Sequence, residues 1–206
     1  RTLAEMRFGA AREVQNALVV QIDWGLGLGM VLNGKLFKGN SGFAGEFSHI
    51  PIDEQGILCK CGKIGCLETL ASGMALVRMT QIALEQNVHS KLASAFRQNE
   101  DEITPGLVIT VALEGDHLAI EMVNQVGRML GKGLSYLVQT LNPKMIIISG
   151  TLAQADQLII LPIRQALQKH CLPKLIEEIE ILISPLGEDV GTMGSASVVI
   201  EQIIEN

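Results

Sequence analysis

Between Gly45 and Gly73 the chain reads GEFSHIPIDEQGILCKCGKIGCLETLASG, and three of its four cysteines fall inside this stretch. The thiols are spaced Cys59-x-Cys61-x4-Cys66, and His49 precedes Cys59 with nine residues between. One imidazole and three thiolates complete a tetrahedral zinc set and leave no position for water. Gly62 and Gly65 allow the tight backbone needed to aim several short side chains at one ion. Two acids flank the set, Glu46 three residues before His49 and Glu68 two after Cys66. A knuckle that fixes two carboxylates beside its own histidine has the pattern of a binding site on a metal frame.

Other readings of the knuckle are weaker. A disulfide is open to these cysteines, but Cys59 and Cys61 are too close to pair easily, and nothing marks the chain as secreted. Three chance buried thiols would not bring glycine-rich turns and a histidine. Generic nucleic-acid fingers carry CxxC pairs, which this spacing lacks.

Gly45-Glu46-Phe47-Ser48-His49 and Cys59-Lys60-Cys61-Gly62-Lys63-Ile64-Gly65-Cys66-Leu67-Glu68 resemble the ROK family of repressors, open reading frames and sugar kinases. That family carries G-E-x-G-H, then C-x-C-G-x-x-G-C-x-E and an A-S-G-like tail. Ser48 stands where the family has glycine. The resemblance covers nearly the whole chain. It implies an actin/hexokinase-like (ribonuclease H-like) lobe: residues 1–206 as a C-terminal lobe, with the N-terminal lobe and any DNA-binding domain outside this chain.

With 206 residues there is enough chain for a substantial core. Hydrophobic content is 48%, yet no apolar run reaches transmembrane length, so no membrane partner is expected. Sixteen basic and twenty-two acidic residues give a net charge of −6, which disfavours a nucleic-acid surface within the chain. Reduced cysteines and the absence of an export signal suggest the cytoplasm. The first residue is not methionine, so a longer parent chain is expected. A homo-oligomer, dimer or tetramer, is expected as well.

Taken in order, residues 1 to about 13 read as a helix, with Leu3, Met6 and Ala10 on one face. Ala17 to Trp24 is a β-run, Gly25-Leu26-Gly27 turns the chain, and Leu28 to Leu32 is a second strand. Asn33-Gly34 signals a type I′ hairpin into a third strand over 35–38. These three strands make an antiparallel meander. Thr69 to about Glu85 is helical, with Leu76, Met79, Ile82 and Ala83 on its apolar face. A short helix covers 90–98. Thr104-Pro105 opens a helix that Gly115 stops. Asp116 caps a long helix to Leu141, with a buried stripe of Val123, Val126, Leu130, Leu134, Leu137 and Leu141. Gly127 and Gly131 lie on it, each costing about 1 kcal/mol of propensity, so a close neighbour is expected there. Met145 to Ser149 is a strand buried on both faces. A helix around 156–170, in which Pro162 suggests a start or kink, a strand over 179–183 and a helix from Gly191 or Thr192 to about Ile204 complete a βαβα unit. The pattern alone gives α/β; the particular fold comes from the resemblance.

A pyranose offers neighbouring hydroxyls, and a carboxylate accepts from two at once. A histidine that ligates metal through one ring nitrogen keeps the other as an oriented hydrogen-bond partner. By resemblance, Glu46, His49 and Glu68 bind a sugar or sugar phosphate. The plainer alternative for Glu68 is an acid in the first turn of the following helix.

Family kinases have a threonine- and glycine-rich G-T-G-x-G loop where this chain has Asp23-Trp24-Gly25-Leu26-Gly27-Leu28-Gly29, so Leu26 replaces the threonine. Ser149-Gly150-Thr151 and Gly191-Thr192-Met193-Gly194 match the family's nucleotide-side turns, with Thr151 breaking a glycine pair. Gly25, Gly27, Gly150 and Gly194 are the nucleotide-side candidates by this resemblance; a tight hairpin is the simpler reading of the first two. His89, His117 and His170 have no partners at telling spacing, and Cys171 stands alone as a packed thiol. Phosphoryl transfer needs a general base and a phosphate cradle. The family's Asn-Asp pair and first phosphate loop are not in this chain, so no catalytic residue is assigned. The resulting expectation is a zinc-stabilised, sugar-sensing lobe of a transcriptional regulator that reaches DNA through an N-terminal domain. The alternatives are the C-terminal lobe of an ATP- and Mg-dependent hexose or N-acetylhexosamine kinase, and a ligand-free scaffold or oligomerisation lobe.

Overall fold

The computed structural model describes residues 1–204, which form one five-stranded mixed sheet with helices packed on it. Helix α1 spans Thr2–Phe8 rather than running to about residue 13. It stops because the Glu5 side chain turns back to accept the N–H of Ala10 at 3.0 Å, into space that a Cβ on Gly9 would fill.

Strand β1 (Ala17–Ile22) pairs antiparallel with β2 (Leu26–Leu32), which pairs antiparallel with β3 (Lys35–Leu36). The meander is thus as expected, with one correction at its first corner. Leu26 lies in β2 opposite Ile22 and is buried, so the turn is Asp23-Trp24-Gly25, closed by Asp23 N–H donating to Gly25 O at 3.1 Å. Burying the leucine side chain pulls its residue into the sheet. At the second corner Asn33 and Gly34 both have positive φ, 53° and 72°, as a type I′ turn requires.

Two short 3₁₀ turns, Glu46–His49 and Leu67–Thr69, bracket the cysteine-rich loop. Helix α2 is Gly73–Glu85, capped by Ser72, so the helix begins after Thr69 rather than at it. Its buried face is Gly73, Leu76, Val77, Thr80 and Leu84; Ile82 is exposed, while Met79 and Ala83 are only partly buried. The expected face was turned by Thr80, a polar residue that reaches the core because its hydroxyl donates back to Leu76 O at 2.8 Å. Helix α3 (Ala93–Gln98) follows. Then comes α4 (Pro105–Leu113), whose cap Thr104 accepts from Leu107 N–H at 3.2 Å.

Helix α5 (His117–Leu141) has Asp116 as its cap, and Val123, Val126, Leu130, Leu134 and Val138 are fully buried along it. Leu137 and Leu141 are only partly buried, so the stripe follows the i+4 step to Val138 at its end. The glycines have the expected neighbour. A Cβ on Gly127 would stand 2.5 Å from Pro162 Cγ, and one on Gly131 2.6 Å from Ala166 Cβ. Both belong to α6 (Gln157–His170), where Pro162 lies inside the helix and is buried against α5. Two residues on, Gly133 faces Leu67 and Phe47 of the two 3₁₀ turns.

Strand β4 (Met145–Ser149) is buried throughout and pairs parallel with both β1 and β5 (Glu180–Ile183). The sheet order is therefore β3-β2-β1-β4-β5, a meander continued by parallel strands. Short α7 (Pro173–Ile176) precedes β5, and α8 (Val190–Ile204) packs against α1. Among the described residues no helix is long and apolar enough to cross a membrane.

Candidate functional site

The loop from Ile50 to Cys66 is a folded knuckle. Cys59 N–H donates to Lys63 O at 2.8 Å, Gly62 N–H to Cys59 O at 2.9 Å, and Gly65 N–H to Ile57 O at 2.9 Å. Gly62 and Gly65 hold positive φ of 88° and 68°. A Cβ on Gly65 would fall 1.6 Å from Asp53 O, so no other residue fits there.

This folding brings His49, Cys59, Cys61 and Cys66 together, with one ligand atom from each and all four within 4.8 Å of one another. Cys59 Sγ lies 3.6 Å from His49 Nδ1, and Cys61 Sγ lies 3.5 Å from Cys66 Sγ. Tetrahedral zinc would set these at about 3.6 Å for N to S and about 3.8 Å for S to S, given the usual bond lengths. The cysteines are free, not paired. Cys59 and Cys66 are buried and Cys61 is exposed. Burial, with the neighbouring thiols, pushes Cys66 up to about 12, whereas the hydrogen bond from Lys63 N–H draws Cys61 down. A cation binding here would have to displace the Cys66 proton, as metal binding to thiols does.

Glu46 and Glu68 stand on either side of the His49 ring. Glu46 Oε2 lies 3.9 Å from Nε2, and Glu68 Oε2 lies 3.8 Å from Nδ1. Glu46 is exposed. Glu68 is not: its side chain is 5% exposed, and Oε2 is fully buried with no hydrogen-bond partner. The cap of α2 is Ser72, which accepts from Ala75 N–H at 3.1 Å, so Glu68 has no capping task. Lys60 Nζ reaches Glu68 Oε1 at 3.4 Å, a neighbour that no motif spacing singles out.

The glycines assigned to a nucleotide side lie in different places. Gly25 abuts Glu68, with a built Cβ 3.0 Å from Oε1. Gly27 sits in β2 opposite Gln21. Gly194 packs on the backbone of Arg1. Gly150 alone of the four lines the cavity of about 350 Å³ at the ends of β4 and β5, together with Arg1, Asp23, Thr151 and Ser184. Asp23 and Thr151, not these glycines, are the polar groups that meet there. Their separation of 128 residues left no trace in local spacing. His89, His117 and His170 are exposed, and Cys171 is buried with its thiol toward Ser135 O at 3.7 Å.

Comparison with known proteins gives the family. The chain belongs to the ROK family, which it matches over residues 1–202. It is 34% identical over 201 residues to a glucokinase of Halalkalibacterium halodurans, covering 97% of this chain and 61% of that protein. It is 32% identical over 184 residues to the DNA-binding transcriptional dual regulator NagC of Escherichia coli K12, covering 89% of this chain and 44% of the regulator. Among solved structures, a ROK family transcriptional regulator described as a homolog of the E. coli MLC protein superposes with a TM-score of 0.87 at 33% identity, over 96% of this chain and 48% of that one. A ROK family glucokinase from Streptomyces griseus, in complex with glucose and AMPPNP, superposes with a TM-score of 0.84 at 29% identity, over 96% and 64%. The chain thus spans about half to two-thirds of the length of the relatives it matches, and these include both regulators and kinases.

Proposed function

We propose that this chain is the C-terminal, actin/hexokinase-like lobe of a ROK-type transcriptional regulator, and that it senses a sugar or sugar phosphate through a zinc-framed site. The observation that carries the reading is Glu68, a buried carboxyl group whose Oε2 makes no hydrogen bond and lies 3.8 Å from Nδ1 of the knuckle histidine. Leaving such an oxygen unsatisfied costs about 1–3 kcal/mol or more, and a sugar hydroxyl removes that cost by donating to it. His49, Cys59, Cys61 and Cys66 would hold the metal, which supplies geometry and no chemistry because the four ligands close its shell. With Nδ1 on the thiol side, His49 keeps Nε2 for a hydroxyl, and Glu46 and Glu68 accept from its neighbours. Sugar binding then shifts the protein between two states with different affinity for DNA, which an N-terminal domain would contact.

The kinase reading is favoured by the glucokinase relatives. In that case ATP and Mg would enter from the cavity at Gly150, and the general base would come from outside this chain. Against it stands Leu26, whose buried side chain fills the position of the family threonine that could contact phosphate. The deciding measurement is ATP turnover by the full-length protein with glucose and N-acetylglucosamine, alongside calorimetry with the same sugars. Sugar binding without turnover is expected; turnover at rates typical of kinases, ~1–100 s⁻¹, would overturn the regulator reading.

A further inference from the structure

The Asp23 carboxylate gathers four donors. Its Oδ1 accepts from the backbone N–H of Thr151 at 2.7 Å and from the Thr151 hydroxyl at 2.9 Å. Its Oδ2 accepts from Arg1 Nη1 at 2.8 Å and from the side-chain amide of Gln21. A guanidinium, a hydroxyl, an amide and a main-chain N–H are the set that phosphate oxygens take up elsewhere. Although burial pulls the other way, these bonds hold the carboxyl below its usual range, so it is an anion at neutral pH. Gly150 makes the approach possible: at φ 89° it carries no Cβ, and one there would stand 2.8 Å from Oδ1 and 2.7 Å from Ile22 O. The carboxylate forms part of the wall of the 350 Å³ cavity. A second carboxyl lies just behind that wall, where the hydroxyl of lining residue Ser184 donates to fully buried Glu5.

We propose that Asp23 is the specificity-determining residue of this cavity, an internal anion that occupies the donors a phosphate would need and so closes the cavity to nucleotides and free phosphates. An incoming phosphate meets a like charge already seated on Arg1 and Thr151, and it gains nothing by displacing a carboxylate tethered in place. The inference goes beyond the sugar reading and does not depend on it, because Asp23 is not among the sugar-binding residues.

The test is calorimetry on the intact protein with Mg·ADP and with inorganic pyrophosphate, comparing wild type with Asp23→Ala and Asp23→Asn. Asp23→Asn keeps the side chain's shape and its acceptor for Thr151 while removing the charge, so it reports even where Asp23→Ala misfolds. Wild type is expected to bind neither ligand at millimolar concentration, and the variants to gain at least about tenfold for pyrophosphate, the size of one charge-assisted hydrogen bond. Wild type binding either ligand as tightly as the variants overturns the proposal. So does the absence of any gain in variants that keep wild-type zinc content and sugar affinity. Sugar titrations on the same samples test the sugar reading separately.

Discussion

The N–H of Gly73 donates to the carbonyl oxygen of Asp23 at 2.8 Å, and the next N–H, of Met74, donates to Trp24 at 3.0 Å. The first turn of α2 is thereby tied to the corner between β1 and β2. A Cβ on Gly73 would lie 2.4 Å from that carbonyl, so the contact is backbone on backbone. One residue, Asp23, thus joins the start of α2 to the cavity at the ends of β4 and β5: its main chain meets α2 and its side chain meets Thr151.

Zinc removal and loss of the sugar acid should separate cleanly. Cys61→Ser is expected to lose the metal, to loosen residues 50–66 and to abolish sugar binding. Glu68→Gln is expected to keep one zinc per chain and to weaken the sugar by about 1–3 kcal/mol through loss of a charged hydrogen bond. Metal content and calorimetry on the same samples of full-length protein decide it. A Cys61→Ser protein without zinc that binds sugar at wild-type affinity would refute the metal frame.

At the α5–α6 seam, packing and propensity point in opposite directions. Gly131→Ala removes about 1 kcal/mol of helix-propensity penalty. It also drives a methyl to 2.6 Å from Ala166 Cβ and 2.7 Å from Ile163 O, overpacking that costs about 1–3 kcal/mol. A lower thermal midpoint is expected, by about 2–4 °C for each kcal/mol lost. A midpoint raised by this substitution would mean that the two helices stand further apart.

Asp116 gives a signed pH dependence. Burial acts to raise its carboxyl, but bonds from Ala119 N–H, Lys91 N–H and the Ser90 hydroxyl hold it below its usual value. A depressed folded value means stabilisation that is complete above the unfolded value of about 3.9 and is lost as pH falls through the folded one. Wild type should therefore exceed Asp116→Asn in stability at pH 7, and the gap should close in acid below about pH 4. Urea unfolding at several pH values measures it, and a gap that stays constant from pH 7 to pH 2 would contradict the assignment.

Much of this architecture could be read ahead because it rests on local chemistry. The Thr104 and Asp116 caps, the Asn33-Gly34 corner and the glycine rows of α5 each act through neighbours within a turn or through a missing side chain. The cluster at the knuckle was legible because its four candidate donors all lie within 18 residues, from His49 to Cys66. What escaped was decided by contacts across the chain or by a polar residue satisfied in place. Thr80 enters the core with its hydroxyl bonded to its own helix, which displaced the expected face of α2. Leu26 was drawn into the sheet by burial of its side chain. Asp23 and Thr151 meet only because β1 and β4 lie side by side.

Helix α5 carries a further consequence, which lies in how displacement travels. On one side Gly127 and Gly131 press it against α6, and on the other Gly133 presses it against Leu67 and Phe47, the residues next to Glu68 and Glu46. A glycine face has no rotamers with which to absorb movement. If the two 3₁₀ turns were displaced toward α5, the main chain at Gly133 would take it up as a tilt, with α6 in direct contact on the opposite face. The helix is about 37 Å long, at 1.5 Å per residue, so a tilt too slight to notice at Gly133 is largest at its distant N-terminal end, beside Ser90 and Lys91. In mechanical terms the knuckle is the short arm of a lever.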